Sequence, residues 1–79
     1  MKTYTLYGTD ACHLCDIAGA MIDNALSRLQ GVKIEKVDIV DSDELFDRYG
    51  VSIPVLRHPD GRELNWPFSA EQLQPFLQD

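Results

Sequence analysis

Cysteine is scarce in this chain, with two in 79 residues. That excludes the framework of several disulfides that staples many small secreted domains. No apolar run approaches the roughly 20 residues needed to cross a bilayer. The first seven residues, Met1 to Tyr7, lack the apolar core of about 7–15 residues that marks a secretory signal, so the cytoplasm is the expected compartment. Basic residues are few as well: seven Lys and Arg stand against thirteen Asp and Glu, for a net charge of −6. Without a basic cluster, neither nucleic acid nor an anionic membrane surface is an expected partner, because both would be repelled. Repeats, linkers and low-complexity tracts are absent, so residues 1–79 are read as one domain. Nothing in the sequence points to an obligate oligomer, and a monomer is expected.

What is present is strongly patterned. Thr3 to Tyr7 alternates polar with aromatic or aliphatic residues and reads as a strand, broken by Gly8-Thr9-Asp10-Ala11. From Cys12 to Gln30 the period lengthens: Leu14, Ala18, Met21, Ile22, Ala25 and Leu29 recur at helical steps, with Gly31 as the C′ stop. Gly19 inside this helix costs about 1 kcal/mol relative to alanine, so it lies on the solvent face or permits a close contact. Val32 to Ile39 predicts a second strand. Asp41 is the expected N-cap of a short helix, with Glu44 completing the capping box, Leu45, Phe46 and Tyr49 facing inward, and Gly50 ending it. Val55-Leu56 and Arg62-Glu63-Leu64 flank the turn signal Pro59-Asp60-Gly61 and predict a hairpin. Trp66-Pro67-Phe68 interrupts, and Ser69-Ala70-Glu71-Gln72 caps a last helix with Leu73, Phe76 and Leu77 inward. The order is βαβαββα. A right-handed crossover makes the first two strands parallel and the hairpin adds two antiparallel ones. This predicts an α/β domain with a mixed four-stranded sheet flanked by three helices.

The two cysteines are Cys12 and Cys15, two residues apart in the segment Cys12-His13-Leu14-Cys15. Thiols at this spacing, between a strand and a helix, read as a dithiol redox site. Buried structural cysteines are usually inert and unpaired, which makes two core thiols the weaker reading. Cys12 falls where the helix should begin. A helix N-terminus carries roughly +0.5 charge and unpaired N–H groups, so it favours the thiolate. Asp10 and Asp16 oppose this. Because they are expected to be solvated, each is worth about 1 kcal/mol or less, and the Cys12 thiol is predicted to titrate below its free value of about 8.5.

The Cys-x-x-Cys at the start of the first helix, Ile53-Pro54 before the third strand, and the element order resemble the glutaredoxins. The resemblance is closer to a small bacterial glutaredoxin-like group, through Cys12-His13-Leu14-Cys15-Asp16, Pro54-Val55-Leu56 and Gly61-Arg62-Glu63-Leu64-Asn65-Trp66-Pro67-Phe68. It covers essentially the whole chain and implies a thioredoxin-like fold. By that resemblance Cys12 is the exposed nucleophile and Cys15 the more buried resolving thiol. Pro54 is a cis-proline facing them, and the Ile53 backbone pairs with an extended substrate or with glutathione. The sequence departs from the glutaredoxin pattern in three places. Cys-His-Leu-Cys replaces Cys-Pro-Tyr-Cys, Asp10 rather than a lysine precedes the pair, and Trp66-Pro67-Phe68-Ser69 replaces the Gly-Gly-x-Asp that holds a glutathione carboxylate in that family. Pro67 has no N–H to donate there, and Trp66 adds an apolar wall.

The expected activity is thiol–disulfide exchange on protein or glutathione mixed disulfides, with no bound cofactor. Glutathione is the candidate co-substrate, and glutathione or a thioredoxin-type donor the upstream reductant. His13 either stabilises the thiolate as an imidazolium, shapes the docking surface, or is an exposed histidine without a partner; a helix N-terminus disfavours its positive charge. Trp66 and Phe68 line the substrate groove or cover the sheet edge. Arg48 and Arg57 bind a glutathione carboxylate or are solvated surface charges. His58 lies at the hairpin turn and needs no function. Two other readings use the same cysteines without turnover. One is a redox sensor. The other is a metal or iron–sulfur module with His13 or His58, although structural zinc usually wants a second ligand pair and a cluster needs two more thiols.

Overall fold

The computed structural model describes residues 2–78. Seven main elements follow the expected order: β1 (Lys2–Gly8), α1 (His13–Leu26), β2 (Val32–Asp38), α2 (Asp43–Tyr49), β3 (Val55–Arg57), β4 (Glu63–Asn65) and α3 (Ala70–Gln78). The four strands form one mixed sheet in the order β2-β1-β3-β4. β1 and β2 run parallel, while β1–β3 and β3–β4 are antiparallel. No helix among the described residues is long and apolar enough to cross a membrane.

Alternation along the strands distributes two cores over the two faces. Tyr4 and Leu6 of β1 and Leu56 of β3 pack against Ala18, Ile22 and Ala25 of α1 and Leu73 and Leu77 of α3. Tyr7 and Val55 point the other way and meet Ile39 and Tyr49 beneath α2. The chain ends are drawn in by the Tyr4 hydroxyl, which donates to the Phe76 carbonyl at 2.8 Å. The hairpin turn closes through His58 N–H to the Arg62 carbonyl (2.8 Å), with Gly61 at a φ of +102° that favours glycine.

Several local expectations shift. α1 ends at Leu26, four residues early, with Ser27 as C-cap. The Ser27 hydroxyl donates to the Asn24 carbonyl at 2.6 Å, and Arg28 and Leu29 close tight turns onto Ala25 and Leu26. Leu29 still packs on the core from this irregular segment. Gly31, at φ +75°, turns the chain into β2 rather than capping the helix. The α2 N-cap is Ser42, not Asp41, because Ile39–Asp41 are taken up by a 3-10 turn capped by the Asp38 carboxylate. Phe46 is exposed rather than inward: α2 meets the sheet along the Leu45–Tyr49 row, one helical step away. Leu14 is exposed too, and burial along α1 begins at Ala18. In α3 the reciprocal capping box forms, Ser69 N–H to Gln72 Oε1 (2.8 Å) and Gln72 N–H to Ser69 Oγ (3.2 Å).

Candidate active site

β1 ends at Gly8, and a turn closed by the Cys12 N–H and the Thr9 carbonyl (3.2 Å) feeds α1. Cys12 is the N-cap, in extended conformation. Its Sγ accepts from the Cys15 N–H at 3.0 Å, the place a serine or aspartate oxygen usually fills. Sulfur at Cys12 is therefore directed at the positive end of α1, with Asp16 in the first turn as the nearest opposing charge on the helix. Cys12 and Cys15 are at disulfide distance, their Cα atoms 5.2 Å apart. Both residues are partly buried.

Cys15 has a tight seat. A Cβ at Gly8 would lie 3.0 Å from Cys15 Sγ and 3.2 Å from its Cβ, so only glycine lets α1 come this close to the end of β1. On the β2 side Cys15 opens onto a cleft of about 490 Å³, bordered by Asp16, Asp23 and Asp38 with Lys36 as its one cation. Gly19 is buried on this side, and the Lys36 ammonium lies 3.8 Å from where its Cβ would be. Gly19 is thus buried rather than on the solvent face, but a Cβ there would make only an ordinary contact, so no close approach requires the glycine.

The opposite wall comes from the segment before β3. Tyr7 pairs with Val55, so the next residues on the two strands, Gly8 and Pro54, face each other at the end of the ladder. Pro54 is buried, Ile53 is partly buried, and the Ile53–Pro54 and Trp66–Pro67 peptide bonds are both cis. The Ile53 N–H donates to the Tyr49 carbonyl at 3.2 Å, so that donor is already bonded within the protein. Trp66 joins this wall through its backbone N–H, which donates to the Pro54 carbonyl at 3.3 Å. Its ring is half-buried against the core and meets Phe68 edge-on, centroids 5.1 Å apart. Trp66 thus packs partly on the core beside the Pro54 segment, and Phe68 is core.

The remaining sequence-predicted residues divide by position. His13 opens α1 and is exposed beside Cys12. Leu14 and Ile17, also exposed, add an apolar surface on the same two turns. His58 does not join the site. It is four residues along from Pro54, roughly 13 Å at strand spacing, toward the other end of the sheet. There it is buried among Tyr4 and Phe76, ring centroids 4.9 and 5.7 Å away, and its Nδ1 accepts from the Asp60 N–H at 3.0 Å. His58 therefore stands at the hairpin turn as expected, with its ring buried in an aromatic corner of the core. Arg57 is engaged by the Tyr7 hydroxyl, a hydrogen bond that holds its pKa up, and Arg48 lies 5.3 Å from the Tyr49 ring centre. Among the described residues, no three His, Cys, Asp or Glu side chains gather as a metal site. Gly8 was read only as a strand break, and Lys36 was not singled out; a glycine ending a strand just before the dithiol was the one usable signal.

A family model, "Glutaredoxin-like domain (DUF836)", matches residues 3–78. Among solved structures, the X-ray structure of target protein XcR50 from X. campestris is 43% identical over 95% of this chain and 95% of that chain, with a TM-score of 0.81. The solution structure of XcR50 gives 42% identity, 99% and 94% coverage and a TM-score of 0.79. Protein Ne2328 from Nitrosomonas europaea, 22% identical over 96% of this chain and 91% of that chain, has a TM-score of 0.79 and speaks for the fold alone. Among curated proteins none matches. With a helix-capping Cys12, its partner Cys15 at disulfide distance, and a family match that spans nearly every residue, the chain belongs to the glutaredoxin-like domain family.

Proposed function

We propose that this protein is a thiol–disulfide oxidoreductase that reduces protein or glutathione mixed disulfides in the cytoplasm. The observation that carries the reading is Cys12 at the N-cap of α1 with Cys15 at disulfide distance in the next turn. In the reduced protein, the Cys12 thiolate attacks one sulfur of a substrate disulfide. The substrate S–S bond breaks, one substrate thiolate leaves, and a mixed disulfide forms on Cys12. Cys15 gives up its proton to solvent and attacks Cys12 Sγ. The mixed disulfide breaks, the second substrate thiolate leaves, and the Cys12–Cys15 disulfide remains. Two electrons have passed to the substrate, and glutathione or a thioredoxin-type dithiol returns them. No bound cofactor is needed.

Ile53, Pro54, His13 and Trp66 are proposed as the surface that receives the substrate. The exposed Leu14 and Ile17 beside the dithiol favour a polypeptide partner. Asp10 and Asp16, with Pro67 in place of a donor, weigh against tight binding of anionic glutathione.

The test is NADPH consumption with glutathione, glutathione reductase and a glutathione mixed disulfide, repeated with thioredoxin and its reductase on a protein disulfide. Wild type should turn over in at least one system, and Cys12→Ser should fall to background in both. A folded wild type inactive in both systems, with reversible disulfide formation only, would favour the sensor reading.

A further inference from the structure

Tyr49 closes α2 and is only 4% exposed. A buried phenol needs a hydrogen-bond partner, and this one donates to Glu63 Oε2 on β4. Its ring lies flat on Tyr7 of β1, centroids 4.4 Å apart and planes within 16°. Its carbonyl accepts from both the Ser52 N–H (2.8 Å) and the Ile53 N–H (3.2 Å). A single residue thus grips three places. The first is β1, one residue before the Gly8 seat of Cys15. The second is the backbone immediately before Pro54. The third is β4, which leads directly to Trp66, the donor to the Pro54 carbonyl. Pro54 is held from both sides, and Tyr49 is common to both holds.

We propose that Tyr49, with Glu63 as its partner, is a positioning residue that fixes the Ser52–Ile53–Pro54 wall relative to the Gly8–Cys15 seat. It thereby sets the groove into which a disulfide-bearing polypeptide fits. The inference rests on the oxidoreductase reading, with Cys12 as attacking thiol and Ile53–Pro54 as substrate wall. A substrate with extended chain around its disulfide uses that wall. A small aromatic disulfide such as 5,5′-dithiobis(2-nitrobenzoate) needs only access to Cys12 sulfur. Loss of the clamp therefore separates the two substrates, which a general loss of stability does not do.

The experiment compares Tyr49→Phe, Glu63→Ala and Glu63→Gln by two readouts. Tyr49→Phe keeps the ring stack and is expected to fold, and urea unfolding checks each variant. The first readout is amide hydrogen exchange. In Tyr49→Phe and Glu63→Ala, the Ser52, Ile53 and Trp66 amides should exchange about fivefold faster, the equilibrium equivalent of one ordinary hydrogen bond. Amides of α1 should be unchanged, and Glu63→Gln, whose amide oxygen still accepts, should stay near wild type. The second readout is turnover. KM for insulin should rise about fivefold with kcat nearly constant, while the rate with the small disulfide should be unaltered. Unchanged or uniformly faster exchange overturns the clamp, as does an equal loss on both substrates. A wild type that reduces neither substrate defeats the oxidoreductase reading and the groove with it, while the exchange data still report separately whether Tyr49 orders the wall.

Discussion

Gly8 and Gly19 both flank Cys15, yet they answer differently to the same small substitution. Alanine at Gly8 puts a methyl 3.0 Å from Cys15 Sγ, and the sulfur has little room to retreat because Cys15 is anchored in α1. Overpacking of this kind costs about 1–3 kcal/mol. Alanine at Gly19 meets only the flexible end of Lys36 at 3.8 Å, an ordinary contact, and removes a helix-interior glycine worth about 0.5–1 kcal/mol. We therefore expect Gly8→Ala to lower the unfolding free energy in urea and Gly19→Ala to raise it. A fall in both variants would mean that the Lys36 side chain cannot yield to a methyl at Gly19. At this scale the cysteines were legible because spacing alone carries their chemistry. Gly8 was legible only as a break in a strand, because its role depends on which atom of α1 comes to rest on it. The place of His58 at the hairpin turn was legible, but its burial was not, because Tyr4 and Phe76, which cover it, lie far away in sequence.

The helix start is where element and chemistry coincide. Cys12 stands outside α1 as its cap, with the Cys15 N–H aimed at its sulfur, while Cys15 lies inside the first turn. In the reduced protein the unpaired N–H groups and the positive end of the helix act on Cys12 more than on Cys15, which is the physical basis for proposing attack by the first and resolution by the second. Thiolate absorbance of the reduced Cys15→Ser variant should titrate with a midpoint below the free-thiol value of about 8.5. A midpoint at or above that value would mean that Asp10 and Asp16 outweigh the helix. Elements marked by strong local chemistry were readable, including the Pro59-Asp60-Gly61 turn and the Ser69–Gln72 capping box. Ends governed by competing local signals were not. Asp41 and Ser42 are adjacent capping residues, and only the 3-10 turn that consumes Asp41 decides between them. Likewise the apolar period continues to Leu29, although the Ser27 hydroxyl turns back onto Asn24 and ends α1 before it.

Across the whole molecule, the order of elements and the parallel first pair follow from hydrophobic period and chain handedness. The division into two cores does not, because it depends on side chains from distant segments meeting. Tyr7, Tyr49 and Glu63 come from β1, α2 and β4, and together they tie the α2 layer to the sheet. That tie has a pH signature. Burial, followed by the hydrogen bond to Glu63 and its negative charge, pushes the Tyr49 phenol from 10.0 to about 12, with Arg48 opposing. The neutral phenol is the form the fold favours. The stabilisation is therefore fully present below pH 10, where folded and unfolded chains both keep the proton. Between pH 10 and 12 the unfolded chain releases the proton and the folded chain retains it, so stability falls with rising pH until both have ionised. Both cysteines are in the one disulfide of the oxidised protein, so no free thiol reshuffles at these pH values. The urea midpoint of oxidised wild type should accordingly decline over this window, and Tyr49→Phe should start lower and decline less steeply. The difference between the two isolates Tyr49 from the other tyrosines. Parallel curves would show that the phenol titrates equally in both states, and that Glu63 and burial do not hold its proton.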